Sequence, residues 1–157
     1  MCKMEHQIGC LTAEVMKLDL SDLEDPREDC VLEKDQPALK RINRMAEGLV
    51  KIQADDSYTA LMRRTQLTSI LKTLTKIEGE ADIAVRSMER RKTNTRASQE
   101  IHAKDIQGLE EERFIDDYRE AFQEFAAKKA SAIVIQMKAK EVRERVEEAL
   151  KDVLSED

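Results

Sequence analysis

Residues 132–153 read AIVIQMKAKEVRERVEEALKDV, and Ile135, Ala139, Val142, Val146, Ala149 and Val153 recur in it at spacings of four and three. That rhythm sets the six on one helical stripe, with Lys, Arg and Glu filling the other faces. The pattern spreads outward. From Ala38 to Asp157 there is no proline, and the only glycines are Gly48, Gly79 and Gly108. Proline removes an amide donor and clashes with the preceding turn, so a chain without it, dense in Glu, Lys, Arg, Leu and Ala, can stay helical for long stretches. The expected fold is all-α: long helices forming an extended helical bundle or coiled coil.

Each earlier segment carries its own stripe. Met4, Ile8, Leu11, Val15 and Leu18 define an amphipathic helix over 1–20. Residues 21–37 hold Pro26 and Pro37 among acids and read as a connector, with Asp35 placed to cap the next helix and Pro37 to sit in its first turn. The remainder, 38–157, reads as one long helical region. Leu39, Ile42, Ala46, Leu49 and Ile52 make its first stripe, and Asp55-Asp56-Ser57 offers a cap or a short break. Leu67, Leu71, Leu74, Glu78, Ala81, Val85 and Met88 make the next, with Glu78 the one polar intruder. Thr93-Asn94-Thr95 suits a turn, though a helix can also pass through it. Ala97 to Leu154 is long enough for a single helix of about 85 Å, weakest at Gly108.

Composition agrees with narrow apolar stripes and wide charged faces. Charged residues make up 38% of the chain, well above the usual quarter, and there is no Trp. The 33 acids outnumber the 27 bases, a net charge of −6 that argues against nucleic acid as a general partner. Charge is uneven: 19–35 is acidic, and Arg86, Arg90, Arg91, Lys92 and Arg96 form a basic run. Cys2, Cys10 and Cys30 have no metal-type spacing, and no segment has the length and apolarity of a membrane span. A cytoplasmic location, with cytoskeletal association as a refinement, is the expectation. His6 and His102 stand apart, no glycine-rich phosphate loop occurs, and no nucleophile–base pair is discernible, so neither catalysis nor a cofactor or metal is expected.

Two features point to partners. Phe114, Tyr118, Phe122 and Phe125 are four of the five aromatic residues and fall on one helix face; they are either bundle core or an anchor for a partner helix. Downstream, Ala132-Ile133-Val134-Ile135 is apolar around the whole helix, which calls for enclosure on more than one side. Residues 132–145 also resemble an IQ motif, the helical element that binds calmodulin or related light chains. The match is Ile135-Gln136, then Lys140 and Arg145 as the spaced bases, after an apolar lead-in; Glu141 and Glu148 depart from the pattern. The resemblance implies an acidic light chain gripping Ile135 and Gln136.

The function expected from these features is a structural or adaptor subunit that holds helical partners together, or self-associates, and that depends on a partner for stable folding. The alternatives are a calmodulin or light-chain target through 132–145, and a self-contained helical-bundle binding domain.

Overall fold

A computed structural model describes residues 28–102 and 110–155, and within them every regular element is helical. Two short 3-10 turns, Glu28–Cys30 and Glu33–Asp35, form a strap that leads into three helices. These are α1 (Gln36–Ala54), α2 (Ala60–His102) and α3 (Glu110–Ser155). At 19, 43 and 46 residues they are about 28, 64 and 69 Å long. The all-α expectation holds. The amphipathic helix expected over 1–20, and the connector up to Arg27, lie outside the described residues.

The expectation of one helix from Ala97 to Leu154 is corrected. Residues 97–102 finish α2, and α3 begins at Glu110 and runs the opposite way. The direction is fixed by side-chain bonds: Glu78, Asp82 and Glu89 on α2 meet Arg143, Gln136 and Lys129 on α3, so rising numbers face falling ones. The reversal falls between His102 and Glu110. The turn at Thr93-Asn94-Thr95 is likewise not taken. The helix passes through it, and Thr93 donates its hydroxyl to the Glu89 carbonyl one turn back at 3.0 Å.

Asp55-Asp56-Ser57 does break the chain. The Asp55 carboxylate accepts from the Ser57 amide (2.9 Å) and hydroxyl (2.6 Å), which holds its pKa below the usual carboxylate value. Thr59 Oγ1 then accepts from the Met62 amide at 3.2 Å, capping α2.

The core lies where the three helices run together. Leu39, Ile42, Leu49 and Ile52 of α1 pack with Leu67, Leu74, Ile77 and Ala81 of α2. All six stripe residues of α3 from Ile135 to Val153 join them. Burial of each large aliphatic side chain contributes roughly 1.5–3 kcal/mol. Because α1 is less than half as long as its neighbours, the α2–α3 pair continues beyond it as an arm carrying the basic run and the aromatic residues.

Candidate functional site

The base of the arm is where the strap crosses α3. Ser131 is fully buried there. Its Oγ accepts from the Leu32 amide at 2.9 Å and donates to an Asp35 carboxylate oxygen at 2.5 Å. Asp35 stands at the N-cap position of α1 as expected, but makes no side-chain cap bond; its carboxylate serves Ser131 instead. Val31 is buried in the core beside this bridge, and the Gln36 side-chain amide donates to its carbonyl at 3.2 Å.

This crossing explains the run apolar on every side. Ala132, Val134 and Ile135 are buried and Ile133 partly so. With α1, α2 and the strap of the same chain all packed on α3, the run is enclosed from several directions without another molecule. Of the remaining IQ-like positions, Gln136 donates to Asp82 at 3.3 Å, while Lys140 and Arg145 are exposed.

A polar seam joins α2 to α3. Glu78, the intruder in the α2 stripe, accepts from Arg143 Nε at 2.6 Å and from Nη2 at 3.3 Å. Arg143 Nη1 donates to Glu147 at 2.9 Å. These bonds, Glu78's first, raise the Arg143 pKa further above its already high value. Farther up, Lys129 pairs with Glu89 at 3.3 Å. Lys92 is buried, and burial first, then the positive charges of Lys129 and Arg96, lowers its pKa to about 8. Sequence reasoning flagged Glu78, the polar member of an apolar stripe, but not Arg143, which sits on a face that reads as ordinary charged surface. Ser131 gave no signal, since a lone serine in a helix has no periodicity.

The aromatic residues share the arm but not one environment. Phe122 is fully buried yet stands outside the main apolar cluster. Its ring meets Phe125 edge-on, with centroids 6.2 Å apart. Phe114 and Tyr118 are tilted against each other at 4.6 Å, and these two and Phe125 are only partly buried.

Between the start of α1 and the arm lies a cavity of about 400 Å³. Ala38, Ile77, Ala84, Met88, Ala132 and Ile135 form its apolar wall, and Lys34, Arg41 and Lys128 are its cations. Among the described residues no three His, Cys, Asp or Glu side chains cluster as metal ligands, and no helix is long and apolar enough to cross a membrane. No protein-family model, curated protein or solved structure matches this chain.

Proposed function

We propose that the protein is a structural or adaptor subunit that presents the α2–α3 arm to helical partners in a cytoskeletal or multi-subunit assembly in the cytoplasm. One observation carries this: two helices of 43 and 46 residues stay paired far beyond the 19-residue α1. The short three-helix section anchors the arm, and the partly buried Phe114, Tyr118 and Phe125 supply the kind of rigid apolar contact that dominates helix recognition. No catalytic role is assigned.

The test compares affinity purifications from native cells using the full chain and its Tyr118→Ala/Phe125→Ala variant. Partners retained by the first and lost by the second, at unchanged helicity, support the proposal. An identical set of partners refutes it.

The light-chain alternative is favoured by the exposure of Lys140 and Arg145. It requires α3 to leave the bundle, because Ile135 lies in the core and Gln136 is bonded to α2. Calcium-dependent capture of calmodulin, weakened by Lys140→Glu and Arg145→Glu, would support it.

A further inference from the structure

The groove that α1 fills between α2 and α3 does not end where α1 begins. At Pro37 and Ala38 it opens into the cavity walled by Ala84, Met88, Lys128 and Ala132. Helical spacing carries it up the arm: positions 84, 88, 91 and 95 follow one another on α2, and 128, 125, 121, 118 and 114 on α3. The upper groove thus has an apolar floor of Met88, Ala121 and the partly buried Phe125, Tyr118 and Phe114. Its lower rim is charged, with the cations Lys34, Arg41, Arg91 and Lys128 set among the acids Asp35, Glu80 and Glu124. Lys34, Arg91 and Lys128 all lie close enough to Glu124 to lower its pKa, with Lys128 the strongest, and Arg41 lines the cavity beside them.

We propose that this upper groove is the docking surface for residues 4–18 of the same chain, which lie in it as the amphipathic helix their stripe encodes. Length supports the fit. Fifteen residues of helix span about 22 Å, and Met88 to Ile101 on α2 about 21 Å. The tether supports it as well. The strap reaches Ser131 at the foot of the groove, and the nine residues 19–27 can extend to about 30 Å, so the segment is held within reach of the surface. Charge supports it too. Asp19, Asp22, Glu24 and Asp25 follow the stripe in sequence, where the foot of the groove offers Lys34, Arg41 and Arg91, while Lys128 already pairs with Glu124. Met4, Ile8, Leu11, Val15 and Leu18 would meet the floor as α1's stripe meets the core below. Because the aromatic face is also the surface assigned above to partners, the segment would compete with them; that consequence rests on the adaptor reading, whereas the docking does not.

Hydrogen exchange on the purified full chain tests the docking without any partner. Leu11→Asp and Val15→Asp should speed amide exchange in Met88–Ile101 and Phe114–Phe125 at least about tenfold. The lower bundle, Leu39–Ile52 and Val142–Val153, should not change. Ala13→Asp, on the opposite side of the same helix, should behave as the unaltered chain. Unchanged arm protection in Leu11→Asp overturns the proposal. So does arm protection that rises with protein concentration, which would make a second copy of the chain the occupant.

Discussion

Replacing Ser131 by alanine removes a single oxygen from the point where strap, α1 and α3 meet. The side chain is fully buried, so alanine fits the same space and leaves almost no cavity. The loss is polar. The Leu32 amide gives up its acceptor at 2.9 Å, and an unsatisfied buried donor costs about 1–3 kcal/mol. The Asp35 carboxylate gives up a charge-assisted donor, worth roughly 1.5–3 kcal/mol. The two do not simply add, because the strap can lift and let water reach both groups. Lifting in turn exposes Val31, whose burial is worth roughly 1.5–3 kcal/mol. The expected net loss is about 2–4 kcal/mol. Urea unfolding of the full chain measures it, with Asp35→Ala and the double variant completing a cycle. A coupling of about 1 kcal/mol or more is expected between the two sites. Hydrogen exchange should show faster opening at Leu32–Ile42 before other regions. A Ser131→Ala chain within about 0.5 kcal/mol of the unaltered one, with zero coupling, would refute the role given to the strap.

Further predictions address the arm and the seam. Phe122→Ala should cost about 3–5 kcal/mol as a fully buried Phe, read as a lower urea midpoint, since it is enclosed within this chain. Lys92, held at about 8 in the folded chain, is neutral there between that pH and its ordinary value while the unfolded chain is still protonated. Stability should therefore rise with pH from about 8 toward 10 relative to a Lys92→Met chain, as the difference between the two unfolding curves reports. Arg143→Met should destabilise by about 1–3 kcal/mol because it leaves the partly buried Glu78 without its cation, and Glu78→Gln in the same chain should restore part of the loss. Lys140→Glu, on an exposed position, should stay within about 0.5 kcal/mol, in contrast to a severe Ile135→Asp.

The stripes were legible because burial in a helical bundle obeys spacing. Every residue of the α3 stripe from Ile135 to Val153 is core, and so are Leu39, Ile42, Leu49 and Ile52. Ile77 was overlooked because it lies beside the α2 stripe; a helix with neighbours on two sides buries a wider arc than one seam. The reversal between α2 and α3 was not legible. Propensity allows a helix to continue past Thr93-Asn94-Thr95 almost as readily as to turn, and the antiparallel arrangement of α2 and α3 is held by distant pairings such as Glu78 with Arg143. The enclosure of 132–135 was foreseen, but not that the chain's own strap supplies part of it, since a bond between residues 32 and 131 leaves no periodic trace.

The account depends on α2 and α3 lying side by side, antiparallel, within one molecule. Spin labels at Lys76 and Glu144, both exposed and at about the same height on the two helices, report this directly once Cys2, Cys10 and Cys30 are replaced. Helix axes in contact are 8–10 Å apart, so a short distance of roughly 20–25 Å is predicted, unchanged on dilution with unlabelled chain. A separation approaching about 100 Å, as 68 residues of unbroken helix would give, or a short distance that disappears on dilution, would contradict it.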